Sequence, residues 1–301
     1  QIICGNLNRL IHQCFLKKCS EPSPVFILMG VIMRYKIIAC DLDETLLDDR
    51  HEVSARNVQA IQKARELGVH FVPATGRGYN SIGNTLQDLG LQEKQDEYVI
   101  SFNGGAITEN KDSRLMELSG ISFEEAREIF ARGLNYDVCI HIYTQHEVYV
   151  YNFVQSERDY LAGHMEVKEI FAHDIEFLRG QEIVKALYMN TDQEYLRRIE
   201  SELKDVTGDM DVSFSSNRYI EFNRRGVNKG KGLLKLAELL GVDPADTIAI
   251  GDNFNDLSML RAAGLGVGVR NAAEGIRDYC DCITQATNNE HAIAEVIEKF
   301  V

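Results

Sequence analysis

The chain has little of what would place it in a special class. Its longest apolar run, residues 25–33, is interrupted by Gly30 and falls well short of the ~20 residues that cross a bilayer. No membrane helix is read there. Seven cysteines are too few and too scattered over 301 residues for a disulfide framework, and the odd number leaves at least one unpaired. Cys280 and Cys282 form only a C-x-C, with no second pair at metal-ligand spacing, so core or surface thiols are expected there and not zinc. Basic residues are in deficit, 32 against 46 acidic ones for a formal net charge of −14. That balance argues against a nucleic-acid or anionic-membrane partner, since either would be held by clustered Lys and Arg. No internal repeat, low-complexity tract or Pro-rich linker is found. What remains is an ordinary globular chain, 45% hydrophobic and 26% charged, expected in a reducing cytoplasm and long enough for two domains.

The beginning of the chain stands apart. Residues 1–33 hold Arg9, Lys17 and Lys18 against the single acid Glu21, a balance of +2, and three of the seven cysteines. The composition changes at Met33. Residues 1–32 are therefore expected to be an extension outside the fold, with Met33 as the natural start.

After Met33 strand and helix patterns alternate. The apolar run 35–40 reads as a buried strand. Ser54 then caps an amphipathic run with Val58, Ile61, Ala64 and Leu67 on one face, stopped by Gly68. Another strand, 69–74, follows at once, and a further helix ends near Gly90. Residues 98–102 read as a third strand running into Asn103-Gly104-Gly105, a plausible hinge. This order marks a parallel sheet flanked by helices, in which sites form at the carboxyl ends of strands. From 107 to 217 the pattern changes. Residues 140–143 and 148–151 alternate around Gln145-His146-Glu147 like a hairpin, and Ser122 with Glu125 forms a capping box. Strand–helix alternation is read to resume with 219–222, the helix after Asn228, and strands at 247–250 and 265–269. The glycines of Gly264-Leu265-Gly266-Val267-Gly268 read as part of a strand and turn, not a dinucleotide loop. The core is thus expected to be discontinuous, 33–106 and 218–301, with an α+β insert at 107–217.

Four segments carry the chemistry. Asp41-Leu42-Asp43-Glu44-Thr45-Leu46 follows the first strand, and two carboxylates spaced i, i+2 at a strand end can hold a divalent cation beside a nucleophile and an acid. Thr75-Gly76-Arg77 stands at the end of the next strand, where the Thr75 hydroxyl can bond a phosphoryl oxygen. Lys229 opens a helix, so its ammonium and the backbone amides of the first turn can both face a phosphate. Gly251-Asp252-Asn253-Phe254-Asn255-Asp256 places Asp252 at a strand end like Asp41. Each segment alone has an ordinary reading, as a solvated turn, a helix cap or a surface charge. Together and in this order they are hard to explain by coincidence.

These four segments resemble the signature motifs of the haloacid dehalogenase superfamily of phosphohydrolases, and an insert of about 110 residues between the second and third motifs is similar to the Cof-type, class IIB cap. The resemblance covers 33–301. It implies an α/β, Rossmann-like core with a parallel sheet plus an inserted α+β cap domain. It implies Asp41 as nucleophile and Asp43 as acid/base. Mg²⁺ would be held by Asp41, the Asp43 carbonyl and Asp252, with Asp256 behind them. The phosphoryl group would be bound by the Leu42 and Gly76 amides, Thr75, Lys229 and Asn255, and Arg77 would support the loop or reach the substrate. The sequence departs from the family at Glu44, where Gly is common.

The expected function is Mg²⁺-dependent hydrolysis of a small phosphorylated metabolite, such as a sugar phosphate, flavin mononucleotide or pyridoxal phosphate, through an aspartyl-phosphate. A phosphomutase or phosphotransferase on the same fold and a non-catalytic phosphate-binding regulator are the alternatives. No nucleic acid or membrane partner is expected, and the chain is read as a monomer or weak homodimer. Within the insert, Arg114, Tyr143, His146 and Tyr151 are candidate substrate readers by chemistry alone, with packing or solvation the commoner role for such residues.

Overall fold

The run expected at 35–40 forms β1 (Ile37–Cys40), with every residue buried, as a strand covered on both faces requires. The computed structural model describes residues 34–163 and 165–301, so the expected extension at 1–32 lies outside the described residues. Ser54 caps α1 (Ala55–Glu66) by accepting a hydrogen bond from the Asn57 amide. Ala60, Ile61 and Ala64 turn inward, whereas Leu67, which the periodicity placed on the same face, follows the helix and is exposed. β2 (His70–Pro73), α2 (Gly83–Asp88) and β3 (Tyr98–Ser101) come next, as expected. β3 touches the end of β2 through one parallel bridge, Ala74 to Ile100. It pairs antiparallel with β4 (Ala106–Glu109), which pairs in turn with β5 (Arg114–Leu118).

The capping box of Ser122 and Glu125 is formed and opens α3 (Phe123–Gly133). β6 (Cys139–Thr144) and β7 (Val148–Tyr151) make the expected hairpin, Tyr143 opposite Val148. α4 (Gln155–Leu161), β8 (Lys168–Ile170), β9 (Ile183–Met189), α5 (Gln193–Glu202), β10 (Met210–Ser215) and β11 (Tyr219–Arg224) complete a six-stranded sheet of order β10-β11-β9-β6-β7-β8. Alternation along each strand gives this sheet two different faces. Ile142, Ala186, Tyr188 and Phe222 pack in one apolar cluster with Phe130 of α3 and Leu196 of α5. The opposite face presents Tyr143, Leu187 and Tyr219, which cluster with Phe102 from the end of β3.

One expectation needs correcting here. Residues 219–222 do not resume the parallel sheet: they pair antiparallel with β9 and β10 in the six-stranded sheet. A strand buried on both faces shows a continuous buried run whether its neighbours run parallel or antiparallel, so the local pattern could not separate the two.

Asn228 caps α6 (Lys229–Leu240) by accepting from the Lys231 amide. β12 (Thr247–Gly251), α7 (Leu257–Ala262), β13 (Leu265–Gly268), α8 (Glu274–Arg277), β14 (Cys282–Ile283) and α9 (Ala292–Phe300) then restore the alternation. The five-stranded sheet is parallel throughout, in the order β14-β13-β12-β1-β2. β1 lies between β12 and β2, with Cys40 level with both Ile250 and Pro73. The chain therefore leaves all three strands at one edge, which brings 41–45, 74–77 and 251–256 side by side. No helix among the described residues is long and apolar enough to cross a membrane.

Candidate active site

Asp41 is the first residue beyond β1 and is anchored by its amide to the Ile250 carbonyl of β12 at 2.9 Å. Its neighbour across the strand ends is Asp252, whose Oδ1 accepts from the Thr45 hydroxyl at 2.8 Å. Lys229, the first residue of α6, is fully buried. Its ammonium donates to Asp41 Oδ1 at 2.5 Å and to Asp256 Oδ1 at 2.6 Å. The second oxygen of Asp256 accepts from the amides of Asp252 and Asn253 at 3.0 and 3.1 Å. Gly251 makes this turn possible, because a β-carbon there would stand 2.6 Å from the Asp256 carboxylate. Gly104, at φ +94°, likewise lets the end of β3 reach the Asn228 carbonyl beside Lys229, 2.2 Å from where a β-carbon would be.

Carboxylate oxygens of Asp41, Asp252 and Asp256 lie within 4.8 Å of one another, and all three residues are buried. One ammonium cannot neutralise three carboxylates. Burial pushes the Asp41 carboxyl up to about 8, with Lys229 pulling down and Asp256 and Asp252 adding repulsion. Burial also raises Asp252, to about 6, against the Thr45 hydrogen bond and with help from Asp256 and Glu44. Burial works against the charge on Lys229, yet Asp41 and Asp256 overcome it and hold the ammonium above its ordinary range. Uncompensated buried charge is costly, and a hard divalent cation with oxygen ligands is what this donor set fits. Both Asp256 oxygens are already engaged, by Lys229 and by backbone amides. Among the described residues, Asp41 and Asp252 each keep one oxygen outside such bonds.

Asp43 faces another way. The Arg77 guanidinium spans both of its oxygens, with Nε to Oδ2 at 2.9 Å, and the Asp43 side chain is 43% exposed. His51 stands 3.7 Å off. Thr75 is buried, and its hydroxyl accepts from the Arg77 amide at 3.0 Å, which shapes the loop. Leu42 is fully buried, and Asn255 is exposed in the turn that carries Asp256. The fold thus joins Asp41, Asp252, Asp256 and Lys229 in one bonded cluster and couples Asp43 to the Thr75–Arg77 loop; Asn255 makes no side-chain bond to either among the described residues. Glu44 adopts φ +58°, and its carbonyl accepts from the Asn271 side chain at 2.7 Å.

Some residues at the site were not assigned from the sequence. Thr45 belongs to the first motif with no role assigned to it from the sequence; in the structure it is fully buried and orients Asp252. Asn103 was read only as part of a hinge. It has φ +54°, its amide group comes within 3.2 Å of where a Gly76 β-carbon would stand, and its buried Oδ1 has no hydrogen-bond partner among the described residues. Of the candidate readers in the insert, Arg114 pairs with Glu109, His146 sits in the β6–β7 turn with its carbonyl accepting from Asn80, and Tyr151 packs on Phe130. Tyr143 packs edge-on against Phe102, with ring centroids 6.1 Å apart.

The model of the haloacid dehalogenase-like hydrolase family matches residues 38–297. The putative phosphatase YxeH of Bacillus subtilis (strain 168) is 30% identical over 268 residues, covering 89% of this chain and 98% of the relative. The 5-amino-6-(5-phospho-D-ribitylamino)uracil phosphatase YcsE of the same organism is 29% identical over 266 residues, covering 88% and 96%. A crystal structure of a haloacid dehalogenase-like hydrolase from Bacteroides thetaiotaomicron matches with a TM-score of 0.78 at 30% identity, covering 89% of this chain and 100% of that one. The chain belongs to the haloacid dehalogenase-like hydrolase family and is a phosphatase of that family, as its motifs implied.

Proposed function

We propose that this phosphatase is Mg²⁺-dependent and hydrolyses a small phosphorylated metabolite, a sugar phosphate or a phosphorylated cofactor such as flavin mononucleotide or pyridoxal phosphate, through an aspartyl-phosphate on Asp41. The observation that carries the reading is the buried cluster in which Lys229 joins Asp41 to Asp256 beside Asp252. The name of the relative YcsE, a phosphatase of a phosphoribityl compound, supports a substrate of this size.

Asp41 attacks phosphorus in line, so that a carboxyl–phosphorus bond forms as the bond to the leaving oxygen breaks. Asp43 donates its proton to that oxygen. In the second half Asp43 takes a proton from water, whose oxygen attacks phosphorus. The bond to Asp41 breaks, inorganic phosphate leaves, and Asp41 and Asp43 regain their starting protonation states. Arg77 fixes the direction of the Asp43 carboxylate. The Leu42 and Gly76 amides, Thr75, Asn255 and the Lys229 ammonium meet the charge on the phosphoryl oxygens, and such a preorganised donor is worth roughly 10²–10³ in rate. Asp41, the Asp43 carbonyl and Asp252 would hold Mg²⁺, which would supply Lewis-acid charge neutralisation. Asp256 keeps Lys229 and the 252–253 backbone in place.

The insert that the sequence places at 107–217, with β11 joining its sheet, acts as a cap that excludes bulk water and touches the leaving group. The contact of Tyr143 with Phe102 supports that placement. The test is release of inorganic phosphate from a generic aryl phosphate in the presence of Mg²⁺. Activity that Asp41→Asn abolishes is expected; equal activity in the variant would sink the reading.

A further inference from the structure

One exposed side chain ties together the two loops that would hold the metal. Asn271 lies between β13 and α8. Its Nδ2 donates to the Glu44 carbonyl at 2.7 Å, 227 positions away in the chain, and its Oδ1 accepts from the Asn288 amide at 3.0 Å. Asn288 is buried, and its own Nδ2 donates to the Leu47 carbonyl at 3.1 Å and to Asp49 Oδ1 at 3.3 Å. The two asparagines thus pin both ends of the 44–47 loop. Two residues past Asn271, the Ala273 amide donates to the Asp252 carbonyl at 2.9 Å. The segment between them is held in turn by Arg277, whose Nε donates to the Ala272 carbonyl at 3.1 Å and whose Nη2 donates to the Arg270 carbonyl.

The brace acts on the one ligand of the proposed set that is not a side chain. Because the peptide unit is planar, the direction of a carbonyl is set by ψ of its own residue and φ of the next. The Asp43 carbonyl therefore points where the left-handed Glu44, at φ +58°, directs it. A residue with a β-carbon leaves that region readily for ordinary helical or extended backbone, and either would turn the Asp43 carbonyl away. The bond from Asn271 to the Glu44 carbonyl fixes the peptide on the far side of Glu44, so the residue cannot swing out without breaking it. Because Ala273 grips Asp252 from the same short segment, the Asp43 carbonyl and the Asp252 carboxylate are located against one common support.

We infer that Asn271 is a positioning residue for the metal: it holds the Asp43 carbonyl in the direction that Mg²⁺ coordination needs and sets its place relative to Asp252. This rests on the Mg²⁺-dependent reading above and adds to it a residue outside the four motifs. Mg²⁺ demands near-ideal octahedral geometry, whereas Ca²⁺ accepts irregular oxygen shells. A loosened carbonyl therefore costs the smaller ion more, and loss of a group that orients a ligand lowers metal affinity roughly ten- to a hundredfold.

The experiment measures Kd for Mg²⁺ and for Ca²⁺ by isothermal titration calorimetry on the full chain, with urea unfolding of the metal-free proteins as the check on folding. Wild type is compared with Asn271→Ala and with Asn271→Ser, whose hydroxyl stops one bond short of the Glu44 carbonyl. Both variants should raise the Kd for Mg²⁺ by about tenfold or more and that for Ca²⁺ by less than about threefold. A purely structural asparagine would lower the urea midpoint and leave both constants where they were. A Mg²⁺ Kd within about twofold of wild type, or equal weakening of the two ions, overturns the inference and leaves the phosphatase reading standing. Absence of Mg²⁺ binding by wild type would overturn the metal reading beneath it, and this inference with it.

Discussion

Arg77 and Asp43 form a forked pair across the ends of β2 and β1, with Arg77 Nε donating to Asp43 Oδ2 at 2.9 Å. The acid/base proposed for the reaction is thus held by a guanidinium from the neighbouring loop. Arg77→Lys keeps the charge and loses the fork, so kcat should fall about tenfold while KM changes little, a fraction of what a lost acid–base group costs. Steady-state kinetics check this. An effect confined to KM would instead make Arg77 a substrate-binding group.

The Lys229 ammonium is bonded to both Asp41 and Asp256. In Lys229→Met those carboxylates stay buried without it, and loss of one partner from a buried pair costs ~3–5 kcal/mol. Urea unfolding of the metal-free variant should show a loss of that size together with loss of phosphatase activity. A variant as stable as wild type would mean that water reaches the cluster.

Glu44 has φ +58°, in the region that glycine enters without strain. Glu44→Gly should therefore stabilise the protein by up to about 1 kcal/mol, since the relief of strain exceeds the added entropy of the unfolded chain. Glu44→Ala, which keeps the β-carbon, should give no such gain. Denaturant midpoints measured side by side decide the matter.

His141 is fully buried in the six-stranded sheet. Burial, reinforced by the Lys185 and Arg218 charges, pushes its imidazole down to about 3 from its ordinary 6.5. Between those values the unfolded chain binds a proton that the folded one refuses, so this residue's contribution to stability is present above pH 6.5 and is lost as pH falls toward 3. Glu157, raised by burial, acts in the opposite sense above its ordinary 4.5. The comparison with His141→Gln isolates the imidazole: the stability of wild type should fall more steeply from pH 7 to pH 4 than that of the variant.

Mg²⁺ should raise the melting temperature of the wild-type protein, by the equivalent of about 2.7 kcal/mol at a hundredfold excess over Kd. Asp252→Asn removes one of the two carboxylates left with an oxygen to offer and should abolish most of that shift. An unchanged shift would place the ion elsewhere.

The parts of this molecule that are local in sequence could be read directly. β1, the Ser54 and Asn228 caps, the Ser122 capping box and the β6–β7 hairpin each declare themselves within a few residues. So do Asp41, Asp252 and Lys229, because each stands at the end of an element whose periodicity is clear. What escaped depends on pairing over distance. Tyr219–Arg224 carries no local sign of whether it joins β12 or β9. The contact of Asn103 with Gly76 and the Lys185–Glu221 pair exist only once separate strands are brought together. The Glu44 backbone is a further case: the residue type argues against a left-handed turn, and the surrounding loop imposes one.

The central claim is that Asp41 carries the phosphoryl group between its two transfers. It is tested most directly by mixing the Mg²⁺-loaded protein with an aryl phosphate, quenching in acid within a turnover and mapping the peptides by mass spectrometry. The account predicts a phosphoryl adduct on Asp41 in wild type that accumulates when Asp43 is changed to Asn and that disappears in Asp41→Asn. Phosphate release without any such adduct in the Asp43 variant, or an adduct on a different residue, would contradict it.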